Sequence, residues 1–498
     1  MNNHHKKTIA ILVLAVAYAV LFYKGQMGVN LLIFDGLLLT LTLWLRPELG
    51  KHRPFVWSVA GLLFSAVSVV IVNTDFSLLA HHATYLLVLG FAQARELRFI
   101  WFGLLLGGVS LFAGPLRWWR SQRASRAQLQ NTPNGTLSPW LKQVALPLLV
   151  AVPFLFFYLT GNGQFSKLVS GFFGLFSEFN ISPTTFWVIL LMLVAGFLSA
   201  GLLFPTTREF RLIKLQSAFR DDMIRSRPER QAVPPQAEKN YYSRPSSTPN
   251  PMALRYEYRQ SVITFGLLNV LLAAVNLTDL RYVWLNASEL SASTLSHYVH
   301  VGTWNLVISI FLAMAVVLFY FRGNLNFLKE ATALPPLARL WLAQNSILAI
   351  SVGVRNWHYI DAYGLAMGRV YVFFVLLLML FGLFTLWRKV GHRLTISYLF
   401  QANGMALWLA LIVLGAVNWT NGITRYNLAT QEWEEVDWYY LVNVLPASNA
   451  FLIEAYDEAH PGETSKGEMH RKMLPNTHRI ADWRSWNYAD WRNWRELR

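Results

Sequence analysis

The densest group of ionisable and aromatic side chains lies near residue 360. Arg355, His358 and Asp361 follow one another at intervals of three residues, and Tyr363 and Arg369 come soon after. If this stretch is helical, the spacing places the first three side chains on one face. Such a row at a membrane interface can bind an anionic head group, or hold a histidine tautomer for proton transfer. Alternatively, Arg and His reach the interface from helix ends while the aromatic rings form an interface belt.

Three further basic residues fall on the same predicted outer side and could complete a basic vestibule: Arg281, His297 and His300. Arg369 differs from them because it lies several residues inside an apolar run. A cation in that position requires a partner or a wet cavity.

A second candidate site lies in the N-terminal half, where Asp35 follows Asn30 within an apolar run. An ionisable group in lipid costs roughly 2.5–3.5 kcal/mol, so its presence requires a reason. Asp35 is either a proton or cation site, or a protonated or hydrogen-bonded residue that fixes helix packing, and no counter-charge lies nearby in sequence. His81 and His82 can titrate near neutral pH, but neighbouring helical residues point about 100° apart, which makes them a poor metal pair.

Sequence signatures of common catalytic sites are absent. The chain has no Walker A loop, no HExxH zinc motif, no GxSxG motif and no dinucleotide fingerprint. It also has no cysteine, which removes disulfides, thiolate catalysis and Cys-ligated metals. We therefore predict no catalytic residue, no metal and no cofactor, and we favour a protein that is not an enzyme.

These side chains belong to an apolar chain of 498 residues, with 54% hydrophobic and 14% charged residues. A soluble domain has about 25% charged residues, so a soluble enzyme and a disordered chain are excluded. The net charge of +16 does not indicate nucleic acid, because the basic residues cluster in short loops between apolar runs, as in membrane proteins. The predicted partner is the lipid bilayer.

Segments of about 20 apolar residues predict transmembrane helices, since only helices satisfy their own backbone groups in lipid. The fold class is therefore an all-α polytopic integral membrane protein with about 12 transmembrane helices (11–13 on the sequence) and a small C-terminal extracytoplasmic domain. The predicted spans are 8–23, 27–45, 55–73, 78–93, 97–112, 143–159, 186–204, 261–277, 301–321, 337–354, 364–387 and 397–419.

Four regions follow from these spans. Residues 1–204 form an N-terminal membrane region, 205–260 a basic, Pro- and Ser-rich cytoplasmic loop, 261–419 a second membrane region, and 420–498 an extracytoplasmic tail. The tail ends in a Trp-rich amphipathic helix that lies in the outer interface or caps its own domain.

Basic loops predict orientation through the positive-inside rule. The second half agrees with a cytoplasmic 205–260 loop and an extracytoplasmic C-terminus. In the first half, twelve spans put the basic N-terminus outside, whereas a re-entrant segment within 78–112 gives eleven spans and moves it inside. Both alternatives stay open on the sequence.

Two short motifs resemble an uncharacterised family of bacterial multi-spanning membrane proteins, a domain-of-unknown-function family. They are Tyr363-Gly364-Leu365 with Arg369 heading the next apolar run, and Arg425-Tyr426-Asn427 after the last span. Ala366 stands where that family usually has Thr, which argues against a role for a hydroxyl there. The resemblance implies a polytopic protein of the bacterial inner (plasma) membrane and adds Arg425 to the candidate residues, but it implies no activity.

The sequence thus predicts a transport protein, or a sensing or scaffold protein, with an outward-facing polar cavity in its second half. The alternative is an intramembrane transferase or flippase-like protein that acts on an anionic lipid-linked substrate. Candidate residues for substrate or an anionic lipid head group are Arg355, His358, Asp361, Tyr363, Arg369 and Arg425, and the intramembrane polar candidates are Asp35 and Asn30. Polar amides within the later spans favour a cavity there, although packing is their usual role: Asn269, Asn276, Asn305, Gln344, Asn345, Gln401 and Asn403.

Overall fold

A computed structural model describes residues 3–130, 183–205, 222–223, 251–285, 303–321, 324–328, 330–460 and 482–497. The long apolar runs are helices, as hydropathy predicts. In chain order they are α1 (Asn3–Phe22), α2 (Val29–Leu45), α3 (Arg53–Ile71), α4 (Asp75–Phe91), α5 (Ile100–Gln130), α6 (Pro183–Leu203), α7 (Pro251–Asp279), α8 (Thr303–Tyr320), α9 (Leu334–Tyr363), α10 (Met367–His392) and α11 (Ile396–Ala416). Three shorter helices follow: α12 (Trp419–Thr430), α13 (Ala450–Ala459) and α14 (Tyr488–Glu496).

The all-α membrane architecture is confirmed. Within the described residues, seven helices are long and apolar enough to cross a membrane, and Val29–Leu45, Trp187–Leu203 and Val307–Tyr320 are shorter apolar helices. Eleven of the twelve predicted spans coincide with α1–α11, and the remaining one, 143–159, lies outside the described residues.

Among the helix boundaries that differ from the predictions, two are set by the turn between α9 and α10. The helix α9 continues to Tyr363, so 355–363 forms its last turns and is not an outer loop. Gly364 ends it with a φ of +74°, a left-handed conformation that favours glycine. Because α10 begins at Met367, Arg369 lies in its first turn and not deep inside a span.

The helices α2, α4 and α6 end together at one end of the bundle, where α1 begins. The buried guanidinium of Arg46 donates to the carbonyl oxygens of Leu202 (2.6 Å) and Ala92 (2.8 Å). These carbonyls lie at the negative ends of helix dipoles, so they stabilise a cation there. The side chain of Gln93 also bridges α4 and α6, donating to Gly201 O at 2.9 Å. We call this end of the molecule the basic end.

The helix α5 lies across the basic end. Its glycines contact the last turns of two other helices, Gly103 packing on Gly90 of α4 and Gly114 on Gly201 of α6. Farther along, the indole of Trp118 and the amide of Gln122 donate to Thr8 Oγ1 near the start of α1, at 3.2 and 2.5 Å. Since all these contacts lie within about two turns of the basic end, α5 does not run from one end of the bundle to the other. This arrangement favours the eleven-span alternative for the first half.

The helix α11 joins the two halves of the bundle, since it packs against α3, α4 and α5 on one side and α10 on the other. It also starts at the basic end, because the side chain of Gln401 accepts a hydrogen bond from the backbone of Ile100 (3.0 Å). In the second half, α7 and α9 run parallel, and Asn269 and Asn276 donate to the Leu337 and Gln344 carbonyls at 3.1 Å.

The C-terminal tail packs on the opposite end, which we call the tail end. Its backbone meets the α1–α2 turn, where Val29 N donates to Trp486 O at 3.0 Å and Gln26 N donates to Ser485 Oγ at 2.8 Å. Within the tail, Asn493 of α14 accepts from the backbone N–H of Phe451 (3.1 Å). The last helix is therefore docked on the protein itself.

Candidate functional site

The two motifs singled out in the sequence meet at the α9–α10 turn. The side-chain amide of Asn427, in α12, accepts from Leu365 N (2.6 Å) and donates to Leu365 O (2.9 Å). A Cβ on Gly364 would lie 2.7 Å from Asn427 Oδ1 and from Gln431 Oε1, closer than real Cβ atoms approach. Glycine and asparagine are therefore the residue types that this junction needs.

Arg369 is held by the end of α9. Its Nη1 donates to the carbonyl oxygens of Tyr363 (2.9 Å) and Gly364, which lie at the negative, C-terminal end of a helix. The guanidinium also lies 4.2 Å from the ring centroid of Tyr359, a cation–π contact. The end of α9 is therefore the partner that Arg369 requires as a cation in an apolar run.

Arg355 is bound to a carboxylate that the sequence analysis did not consider. Its Nη2 donates to Asp279 Oδ1 at the end of α7, and the Ser351 hydroxyl donates to Asp279 Oδ2 at 2.5 Å. The carboxylate and guanidinium are 76 positions apart. The sequence signal for this contact is the position of Asp279 just after an apolar run, because a charge at the end of a span requires a partner.

The other candidates at this end are less enclosed. His358 is half-buried, whereas Asp361, Tyr363 and Arg425 are exposed. The guanidinium of Arg281 lies 5.4 Å from the Tyr282 ring, and His297 and His300 lie outside the described residues. The contacts support a structural role for Arg355 and Arg369, and a ligand site at this end stays a prediction.

Asp35 and Asn30 do not form one site. The Asn30 side chain accepts from Gly28 N (2.8 Å) and donates to Gln26 O (2.8 Å) and Leu21 O (3.1 Å), which fixes the α1–α2 turn. Asp35 Oδ2 instead meets His81 Nε2 of α4 at 2.7 Å. Asp35 and His81 are 46 positions apart in the chain, so the sequence does not reveal that their side chains meet.

A cavity that the sequence analysis did not predict opens at the basic end. Its volume is about 550 Å³, and it lies between α3, α4, the α4–α5 connection and α11. Three guanidinium groups line it, from Arg53 at the start of α3 and from Arg95 and Arg98 in the connection, and all three side chains are exposed. We call this cavity the basic pocket.

The connection that carries two of these arginines is held in place by α11. Gln401 Nε2 donates to Arg98 O at 3.1 Å, and its Oε1 accepts from Ile100 N. The Trp101 indole donates to Phe400 O at 2.9 Å. An amide that the sequence suggested for packing or a polar path therefore positions the backbone of the basic pocket.

Aromatic side chains form the apolar wall of the basic pocket. Trp57, Phe91 and Trp408 line it. The indole of Trp408 donates to Thr84 Oγ1 at 2.9 Å, and the ring packs so closely on Gly61 that a Cβ there would overlap it. This wall is therefore set by contacts with two neighbouring helices.

His52 lies at the inner side of the basic pocket. It is buried, and neither of its ring nitrogens makes a hydrogen bond to a described residue. Burial lowers the pKa of His52 below its ordinary value of 6.5, and the nearby carbonyls of Leu97 and Phe91 oppose this only in part. A neutral imidazole therefore presents one donor and one acceptor to the pocket.

The combination of these groups defines what the basic pocket can bind. Guanidinium groups recognise phosphate and carboxylate, and the aromatic wall suits an apolar chain or ring. The sequence signal for this pocket is the basic residues of the short loops, although the positive-inside rule by itself accounts for them. Positive charge beside an apolar wall fits an anionic amphiphile.

The comparison with protein families agrees with the resemblance found in the motifs. The domain of unknown function DUF4153 matches residues 58–455, more than half of the chain, so the chain belongs to that family. No curated protein and no solved structure is similar enough to count as a match. The protein is thus a membrane protein of an uncharacterised family.

Proposed function

We propose that this member of an uncharacterised membrane-protein family binds an anionic lipid or lipid-linked molecule at its basic pocket. The observation that carries the proposal is the convergence of Arg53, Arg95 and Arg98 on a cavity with an aromatic wall, which the buried His52 also lines. The ring of His52 lies near the Leu97 and Phe91 carbonyls and adds a polar group to the wall that a ligand or water would contact.

The proposed ligand is of the class that the sequence suggests, an anionic lipid or lipid-linked molecule. Its proposed site is the basic pocket and not the group of residues near 360. Arg355 and Arg369 are engaged with Asp279 and with the end of α9, whereas the exposed arginines of the basic pocket line a cavity of about 550 Å³. A flippase-like or transferase activity would need this same recognition step.

We also propose that the basic end faces the cytoplasm of a bacterial inner membrane and that the tail end faces outward. The charges support this through the positive-inside rule. The basic end carries Lys6, Lys7, Lys51, Arg53, Arg95, Arg98, Arg388 and Arg393, whereas the tail carries Glu432, Glu434, Glu435, Asp437, Glu454, Asp457 and Glu458. The lipid would then come from the inner leaflet, whose anionic lipids attract basic side chains.

Transport, sensing or scaffolding through an outward-facing cavity in the second half stays a prediction. Gln344 donates to Asn269 Oδ1 at 2.8 Å, and Asn269 and Asn276 donate to carbonyls of α9. These contacts support packing between α7 and α9 more than the lining of a polar path.

Lipid titration of the purified protein tests the proposal. Delipidated protein would be titrated with phosphatidylglycerol or phosphatidylcholine, and bound lipid counted by native mass spectrometry. We expect preferential binding of phosphatidylglycerol, weakened at least about tenfold in the triple variant R53Q/R95Q/R98Q, because each basic residue near a lipid surface contributes about 1 kcal/mol. Excess soluble glycerol phosphate should displace the ligand from a site for free phosphate but not from a lipid site. Its addition therefore distinguishes the two kinds of site.

A matched control separates the basic pocket from overall charge. The variant R120Q/R123Q/R388Q removes three exposed arginines from the same end, none of which lines the pocket. It should bind phosphatidylglycerol like the wild type. Equal loss in both variants, or no preference between the two lipids, would show that the basic pocket is not the site.

A further inference from the structure

We infer that Asp35 and His81 form a proton-binding site inside the helical bundle, independent of the lipid site proposed above. Their side chains are 1% and 4% exposed, and Asp35 Oδ2 and His81 Nε2 are 2.7 Å apart. Each is the seventh residue of its helix, which places the pair about 9 Å in from the tail end at 1.5 Å per residue. Ionisable groups at such depth are usually functional.

The charge of the pair explains why it would take up a proton. A carboxylate beside a neutral imidazole carries a net charge of −1, which apolar surroundings disfavour. One proton from water gives either imidazolium with carboxylate or imidazole with carboxylic acid, and both have zero net charge. Before uptake the Nε2–H of the neutral imidazole already lies in this O–N contact, so the added proton enters at His81 Nδ1. The contact between Oδ2 and Nε2 is kept in both protonated forms, so uptake and release need no rearrangement of the helices.

Other ionisable groups around the pair do not supply a permanent positive charge. Tyr18 of α1 and Tyr85 of α4 interact electrostatically with Asp35, and His82 does so with both members of the pair. The helices α3, beyond its first residue, and α6 carry no ionisable side chain, and α11 carries only Tyr398. The tail brings Asp482 and Arg484 to the start of α2, but these pair with each other at 2.8 Å. A proton is therefore the counter-charge available to Asp35.

Buried atoms without partners mark a route toward the pair. His81 Nδ1, the Tyr85 hydroxyl and Thr42 Oγ1 make no hydrogen bond to a described residue, although all are enclosed. Tyr85 lies one turn beyond His81, and Thr42 lies two turns beyond Asp35 on the same face of α2. Buried polar groups of this kind are usually satisfied by ordered water. Such waters would connect the pair toward the basic end.

Infrared difference spectroscopy of the protein in lipid films, recorded over a pH series, tests the site. We expect a carboxyl or imidazole signal in the wild type that is lost in Asp35→Asn and in His81→Gln. The control Asp75→Asn changes an exposed carboxylate at the start of α4, and it should keep the signal. Wild-type and Asp35→Asn spectra that coincide across the series would mean that the pair is a static packing contact, and the inference would be wrong.

Two further measurements keep the test decisive if a variant does not fold, as judged by size-exclusion chromatography. Wild-type protein with ¹³C-labelled aspartate carboxyl groups should show a band that titrates apart from that of exposed aspartates, and its absence would overturn the site. Tyr85→Phe keeps the ring and removes the hydroxyl, so exchange of the pair's proton in D₂O should become several-fold slower. An unchanged exchange rate would exclude the route through Tyr85.

Discussion

At the scale of single residues, the cations of this protein show how charge is accommodated near a membrane. Arg46, Arg369 and Lys389 all donate to carbonyl oxygens at the ends of neighbouring helices, in the case of Lys389 to Phe321 O at 2.8 Å. Helix C-termini offer unpaired carbonyls and the negative end of the dipole. A lone cation in an apolar run therefore indicates a neighbouring helix end at least as strongly as it indicates a ligand.

Substitution of Asn427 tests this structural interpretation of the motifs. Asn427→Ala should lower the free energy of unfolding in mixed micelles by about 2–4 kcal/mol, because both polar groups of the Leu365 peptide unit lose a buried partner. The neighbouring Arg425→Ala, which changes an exposed side chain, should alter it by less than about 0.5 kcal/mol. The reverse order would mean that Asn427 does not hold the junction.

At the scale of secondary-structure elements, α5 is the helix that the sequence describes least well. Hydropathy makes it a span, whereas its contacts keep it at the basic end. Glycines allow this placement because they let the backbone of α5 approach α4 and α6 closely. Gly107 and Gly108 adjoin in sequence, but only Gly107 packs on α4, where a Cβ would overlap the carbonyl oxygen of Leu86.

The two adjacent glycines provide a matched pair of substitutions. Gly107→Ala should destabilise the folded protein by about 1–3 kcal/mol, the usual range for an overpacked contact. Gly108→Ala meets open space and should stabilise it by up to about 1 kcal/mol through helix propensity. Unfolding of both variants in mixed micelles checks this difference, and equal effects would argue against the close α4–α5 contact.

At the scale of the whole molecule, the position of α5 favours the eleven-span alternative over the twelve-span alternative for the first half. With α5 lying across the basic end, the start of α1, the α2–α3 and α4–α5 connections and the α10–α11 turn all lie on one side. These segments hold much of the basic charge of the described residues. The tail and the α1–α2 turn lie on the other side.

The absence of native cysteine allows a direct test of this arrangement. Single variants His5→Cys and Arg120→Cys, at the basic end, should react with a membrane-impermeant maleimide only after the cells are opened. Gln26→Cys and Tyr439→Cys, at the tail end, should react in intact cells, and the Tyr439 side chain is already 72% exposed. Labelling of Arg120→Cys together with Tyr439→Cys in intact cells would show that α5 crosses the membrane.

The sequence predicted the candidate sites less well than the fold. It identified Asp35 and Arg369 as charges inside apolar runs that require an explanation, and Arg355 as a candidate for ligand binding. In the structure they contact His81, the end of α9 and Asp279, respectively. It did not predict the basic pocket, whose arginines come from two separate connections and whose wall includes Trp408 from α11. Residues far apart in the chain supply each of these contacts, and a single sequence contains no record of their proximity.

By itself, the sequence determined the membrane class, the helical architecture and the positions of the described spans. These properties depend on local composition, because about 20 consecutive apolar residues must form a helix in lipid whatever surrounds them. The tertiary structure decided which charges are paired, where α5 lies and where a cavity remains. Those outcomes depend on how helices pack, since close glycine contacts and helix-end carbonyls act only between neighbours in space.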